Sequence, residues 1–246
     1  MATTYLTRTP SSNGTSNTTF TFSAWVKRSG IGNIPRIFEF YNNISNYISL
    51  RFRDDGTNAS KLQFYSESAG SGYQLTTAQS FRDLSAWYHF VMVVDTTEAT
   101  DTNRLKLYVN GVRVTEFASG GLANIYPSLD HNMNFNNSGN VEYIGRKWEN
   151  SDYFDGSMAH VHFIDGTAYQ ASTFGATNAA SGIWTPLASP SVTYGTNGFF
   201  LKFASSGALG TDSSVNSNTF TVNGSGTQTQ DAPSNVFATW NPLIFY

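Results

Sequence analysis

Leu105-Lys106-Leu107-Tyr108-Val109-Asn110-Gly111-Val112-Arg113-Val114, inside residues 104–117, reads as a β-hairpin. Asn110 and Gly111 can both take positive φ, as a two-residue type I′ turn requires. That turn sets Val109 opposite Val112, Tyr108 opposite Arg113 and Leu107 opposite Val114. Turn and apolar pattern therefore agree on one register.

The same period of two extends outward from the hairpin. Residues 87–95 are apolar on both faces (Phe90, Met92 and Val94 against Val91 and Val93), which predicts a central strand. In 19–29, Phe20, Phe22, Ala24 and Val26 alternate with Thr21, Ser23, Trp25 and Lys27, the pattern of a strand with one buried face. Residues 47–53 (Ile48, Leu50, Phe52 inward) and 61–65 (Leu62, Phe64) repeat it. Trp25 and Trp87 read as packed aromatics. Arg53–Asn58, Ser68–Gly72 and Ser119–Gly121 carry turn chemistry. The Asn-rich stretch 124–140 has no period and reads as an exposed loop. No dozen residues show a helical period. The expected fold class is all-β, a two-sheet antiparallel sandwich or jelly roll.

After Asp165 the texture changes. Residues 166–193 are small and Pro-punctuated, with a single helical turn expected near 172–174. Strand character returns at 198–203 (Phe199, Leu201, Phe203) and 219–222. No linker marks a second domain, so 1–246 is read as one domain, with 166–246 a C-terminal extension that completes the sandwich. Its last strand is expected at the sheet edge beside Tyr5–Arg8.

Composition excludes several functions. Of 246 residues only 13% are charged, and the net charge is −3. The basic surplus that non-specific nucleic-acid binding requires is missing. The absence of cysteine removes disulfides, thiolate metal sites and Cys catalysis. No apolar run approaches the ~20 residues of a membrane span, and the first residues lack a signal-peptide core. The expectation is a chain made in a host cytoplasm, without membrane insertion.

Three ordered segments resemble the laminin-G-like branch of the concanavalin A-like lectin/glucanase superfamily. They are Phe20-Thr-Phe-Ser-Ala-Trp-Val-Lys27, Ala86-Trp-Tyr-His-Phe-Val-Met-Val-Val-Asp95 with Leu105-Lys-Leu-Tyr-Val-Asn-Gly-Val112, and Tyr143-Ile-Gly-Arg146 with Phe154-Asp-Gly-Ser-Met-Ala-His-Val-His-Phe-Ile-Asp165. Gly156 fits a strand start pressed against a neighbour. The wider layout, with Phe163-Ile-Asp-Gly-Thr-Ala168, Tyr194-Gly-Thr-Asn-Gly-Phe199 and the closing Phe237-Ala-Thr-Trp-Asn-Pro-Leu243, is similar to lectin-like virion proteins of tailed bacteriophages. That resemblance implies a non-enzymatic structural protein of a virion: a capsid decoration, appendage or tail-fibre subunit. Its partners would be other virion proteins or copies of itself. The alternative is a lectin-like module that attaches to host-surface glycans.

For a glycan, the stretch Trp148-Glu-Asn-Ser-Asp-Tyr153 is the prime candidate. Trp148 and Tyr153 could stack on a sugar ring while Asn150 and Asp152 bond its hydroxyls, with Tyr126 joining from the loop before. The glucanase-type Glu-x-Asp-x-x-Glu spacing is absent, and no nucleophile elbow frames a Ser-His-Asp triad, so no catalytic residue is assigned. His160 and His162 read as covered polar residues rather than metal ligands. No cofactor is expected. The family resemblance leaves calcium open through the loop carboxylates Asp130, Asp152 and Asp155. The apolar end Leu243-Ile244-Phe245-Tyr246 reads as a contact for the parent domain or a neighbouring subunit.

Overall fold

A computed structural model describes residues 3–54, 56 and 60–234. The C-terminal contact residues Leu243, Ile244, Phe245 and Tyr246 lie outside them. In chain order the strands are β1 (Tyr5–Arg8), β2 (Thr19–Arg28), β3 (Arg36–Asn43), β4 (Asn46–Arg53) and β5 (Lys61–Ser68). There follow β6 (Ser71–Ser80), β7 (Tyr88–Asp95), β8 (Leu105–Val109), β9 (Val112–Arg113) and β10 (Val141–Ile144). The last are β11 (Gly156–Asp165), β12 (Gly175–Thr177), β13 (Trp184–Pro186), β14 (Phe199–Leu201) and β15 (Thr221–Asn223).

They form a seven-stranded sheet, β15-β1-β10-β3-β4-β5-β6, packed on a six-stranded sheet, β14-β11-β2-β7-β8-β9. Every pairing within the two sheets is antiparallel. This is the all-β sandwich that the alternation predicts, and the hairpin register Tyr108↔Arg113, Val109↔Val112 is the one its turn dictates.

The inner faces meet through phenylalanines. Phe22 on β2 lies 4.0 Å, centroid to centroid, from Phe38 on β3. Phe163 on β11 meets Phe40 on β3 edge-on at 4.8 Å, and Phe90 on β7 meets Phe52 on β4 at 5.8 Å. Truncating any one of them to Ala would cost about 3–5 kcal/mol.

Two sequence readings need correction. The stretch 124–140 is no mere exposed loop, for Met133 and Phe135 are buried, and the Phe135 ring lies tilted 4.5 Å from Phe20. An aperiodic segment can still plug an open end of a sandwich, and periodicity does not register single plugs. β2 is buried on both faces, not one. Residues 166–194 fold over the outer face of the six-stranded sheet, where Phe174, Tyr194 and Trp184 cover Val91, Val93 and Ile164. The expected helical turn is there, a 3-10 turn at Ala171–Thr173. Trp184 seats on the hairpin tip because Gly111 carries no Cβ; one would sit 2.8 Å from its ring. Gly156 is equally constrained, since a Cβ there would lie 2.1 Å from the Lys27 carbonyl.

The C-terminal segment supplies a strand to each sheet. β14 pairs with β11, and β15 pairs with β1 (Leu6↔Val222), at the edge that the sequence indicates. Asp165, at the end of β11, clamps the surrounding loops. Its carboxylate accepts from the backbone N–H of Thr15 (2.7 Å), Ser16 (3.1 Å) and Asn197 (3.0 Å) and from Asn136 Nδ2 (2.7 Å). Deleting everything after residue 191 would strip both edges and uncover Leu6 and Phe163. The truncated chain is expected to lose its cooperative thermal transition, and an unchanged melting temperature would contradict this.

Under the 166–194 cover, burial pulls the histidines down, His89 to about 3 and His162 well below its ordinary value. Because the folded values lie below the unfolded one, their stability is intact above about pH 6.5 and is lost as pH falls from there. Each of these two costs about 1.4 kcal/mol per pH unit in that window. Glu142, pushed up to about 6 by burial despite its Arg8 partner, takes a proton first in the folded state and offsets one of them between its two values. Urea midpoints should therefore fall between pH 6.5 and 4; a flat profile would refute the buried neutral imidazoles.

Candidate glycan-binding face

Period two sends every second residue of β3, β4 and β5 away from the core, and pairing registers arrange these residues as a grid. The first row is Arg36–Arg51–Gln63–Thr76, and the second is Glu39–Ser49–Tyr65–Gln74. The third is Tyr41–Tyr47–Glu67–Gly72. Arg36, Glu39, Ser49, Arg51, Gln63, Gln74 and Thr76 are buried; Tyr41, Tyr47, Tyr65 and Glu67 are half-buried. Aromatic rings thus stand at the surface over a polar floor.

The floor is held by directional bonds. Glu39, fully buried, accepts from Arg36 Nε at 3.0 Å and from the backbone N–H of Trp148 at 2.9 Å. Burial raises the Glu39 carboxyl against the pull of Arg36. With both oxygens engaged, Glu39 serves to hold Arg36 and the Trp148 loop. Gln63 Oε1 accepts from Arg51 Nε (2.8 Å), which fixes its amide: Gln63 Nε2 donates to Thr76 Oγ1 (2.9 Å) and Gln74 Oε1 (3.1 Å). Gln74 Nε2 passes the relay to the carbonyls of Gly121 and Ala123. Burial, and then the bond to Glu67, pushes the Tyr65 phenol up to about 12, so it remains a donor at neutral pH.

The loop between β10 and β11 rises beside this grid. Trp148 stacks on Tyr41 at 4.4 Å and 15°. Tyr153 packs 6.0 Å from Tyr5, and Arg146 lies over the rings of Tyr5 (3.9 Å) and Tyr143 (4.8 Å). Of the residues singled out in the sequence, Trp148, Asn150, Asp152 and Tyr153 share this loop, with two of them bonded within it or to its floor. The Asn150 side-chain oxygen accepts from both Arg146 and Tyr153, and Asp152 sits 3.8 Å from Arg36. These two brace the loop.

Tyr126 does not join them. The bridge Gln74↔Ile125 holds its segment beside β6, three strands across the sheet from Tyr41 and Trp148. There its hydroxyl accepts from Asn124 (3.1 Å). Sequence neighbourhood of two loops did not imply neighbourhood in space. The grid itself was missed, because β3 and β6 were not recognised as strands. The alternation of Tyr47, Ser49, Arg51 and Tyr65 was the legible half of its signal.

Asp130, Asp152 and Asp155 are not brought together, and no group of three His, Cys, Asp or Glu among the described residues is placed to hold a metal ion. His160, at φ 46° beside a register shift between Ala159 and His162, lies 5.8 Å from the ring of Phe200, against which His162 also packs. His162 is covered, stacked on Phe200 at 3.9 Å and bonded to the Tyr194 hydroxyl. On the covered sheet, Ser23 Oγ lies 2.8 Å from His89 Nε2, as a nucleophile lies from its base. Trp184 Nε1, which can only donate, is 2.9 Å from His89 Nδ1. Nδ1 must therefore be the unprotonated nitrogen, and Nε2–H donates to Ser23. The imidazole cannot take the serine proton in this arrangement.

A family profile described as concanavalin A-like lectin/glucanases superfamily matches residues 2–172. The chain belongs to that superfamily. Among curated proteins none matches it. Among solved structures it is similar to a Bacteroides ovatus protein named for carbohydrate binding, with TM-score 0.55 and 20% identity over 94% of this chain and 58% of that one. It is also similar to domain 4 of an extracellular arabinanase from Geobacillus stearothermophilus in complex with arabinotriose (TM-score 0.45, 19% identity, 63% of this chain and 64% of that one). A third is tailspike protein 2 of an Escherichia coli O157:H7 bacteriophage (TM-score 0.42, 14% identity, 68% and 22%). The chain thus spans less than two thirds of each of these three structures.

Glu39→Ala would leave the buried Arg36 with only the longer contact to Asp152 and release the Trp148 loop. A loss of about 3–5 kcal/mol is expected in chemical denaturation. A loss below ~1 kcal/mol would mean that the pair is not the anchor of the face.

Proposed function

We propose that this protein is a non-enzymatic carbohydrate-binding module that works on a bacteriophage particle, with the outer face of the seven-stranded sheet as its binding surface. The observation that carries the glycan reading is the half-exposed pairs Tyr41–Trp148 and Tyr47–Tyr65 above a floor of fixed hydrogen-bonding groups. A pyranose ring presents apolar C–H faces and an equatorial belt of hydroxyls. Flat rings beside the half-buried Glu67 carboxylate and Tyr65 hydroxyl match both. Gly72 keeps the third row low, because a Cβ there would lie 3.1 Å from the Tyr65 hydroxyl. Membership of a superfamily of lectins and glucanases supports the same reading.

The virion context has its own support, the sequence likeness to tailed-phage virion proteins running from Phe163 into Phe237-Ala-Thr-Trp-Asn-Pro-Leu243. In that setting the sandwich is a rigid body whose edges and loops touch neighbouring subunits while the open face meets a host glycan.

A glycan array should return ligands for the wild-type chain. Trp148→Ala and Tyr47→Ala should each weaken binding at least about tenfold, at a retained melting temperature. An empty array would sink the glycan reading, as would full affinity in both variants. Incubation with laminarin or a host polysaccharide should release no reducing ends. Mass spectrometry of purified particles should find the chain in fixed copy number, and its absence would remove the virion assignment.

A further inference from the structure

Arg51 stands out on the grid. It is 8% exposed, yet no carboxylate among the described residues lies within ion-pair distance of it. Arg36, its neighbour in the same row, has Glu39 at 3.0 Å. Buried cations are ordinarily paired, because an uncompensated one is costly. Burial, and after it the Arg36 charge, lowers Arg51 only to about 10, so it remains a cation at neutral pH.

Its placement is well defined. The guanidinium lies 4.5 Å from the Tyr65 ring centroid, and its Nε is taken by Gln63. The Gln63–Gln74 relay fixes that bond from the opposite edge of the sheet. The two Nη groups make no hydrogen bond to a described residue, and neither is an enclosed orphan atom. They are left as an open fork. Next along the same face of β4, Ser49 Oγ is buried with no partner at all. That hydroxyl is sealed in, whereas the Arg51 fork reaches the surface and awaits an acceptor.

We propose that the sugar bound on this face is an acidic one, its carboxylate received by the Nη pair of Arg51. This rests on the glycan reading above and deepens it. A planar carboxylate matches the guanidinium in a two-bond geometry, whereas a neutral hydroxyl leaves the buried charge unanswered. Tyr65 and Tyr47 then take the ring of the same sugar. Because the fork is already oriented, little order is lost on binding.

The test uses the full chain and five probes. Polygalacturonate carries the carboxylate on a uronic sugar and polysialic acid on a nonulosonic one; each is run beside its methyl ester. Sulfated, carboxylate-free κ-carrageenan is the fifth. Calorimetry should show at least one acid binding about tenfold or more tighter than its ester. The acid that does so identifies the source. Arg51→Gln should bring that ratio towards one, and Arg51→Lys should leave it in between. Equal affinity for acid and ester overturns the proposal, as does a ratio unchanged in Arg51→Gln or a preference for carrageenan over both acids. Should Arg51→Gln fail to fold, the acid-to-ester ratio of the wild-type chain decides alone. Binding of acids, esters and neutral glycans alike, lost in Trp148→Ala, would remove only the acid preference; no binding to any glycan would remove the binding face with it.

Discussion

Everything in this sandwich depends on phenylalanine rings meeting between the two sheets. Phe22 against Phe38, Phe163 against Phe40 and Phe90 against Phe52 lock each sheet's inner face to the other. Interiors packed this closely tolerate no register slip, since moving a strand by one residue would turn its whole inner set outward. Once the rings are placed, the alternate residue of each strand has a fixed position on an outer face, whatever its chemistry.

The two outer faces use this freedom differently. On the six-stranded sheet the outward residues include Val91, Val93 and Ile164, which need cover, and residues 166–194 supply it. On the seven-stranded sheet they are Arg36, Glu39, Arg51, Gln63 and Gln74, which satisfy one another through an ion pair and an amide relay. A polar network in low dielectric stabilises only when its members are paired. That makes the exception that reaches the surface, the Arg51 fork, informative about what belongs there.

Rigidity is the functional consequence. The floor is buried, its amides are oriented by a one-way chain of donors, and the Trp148 loop is tied to it through the Glu39–Trp148 bond. A ligand meets groups already in place, so its binding free energy is not spent on ordering the surface. The loop residues Asn150 and Asp152, which by type look like sugar contacts, are consumed in holding the loop's shape. By type alone a bracing residue and a contacting residue are indistinguishable.

The sequence alone determined the all-β class, the hairpin at Asn110-Gly111, most strands of the sandwich and the C-terminal strand beside β1. Each rests on a local cause, a period of two or a turn that needs positive φ. It also pointed to Trp148. What only the tertiary structure decided was which residues share a face. β3 escaped notice because Ile37 and Glu39 interrupt its alternation, and the pairing is irregular between Arg36 and Phe38. β6 escaped because Gln74, Thr76 and Thr77 are polar though buried. With those two strands unseen, Glu39, Arg51, Gln63 and Gln74 were unrelated letters spread over 36 positions. Tyr126, close to Trp148 in sequence, was set three strands away. Pairing between strands distant in the chain, which no local pattern encodes, is what assembles the surface.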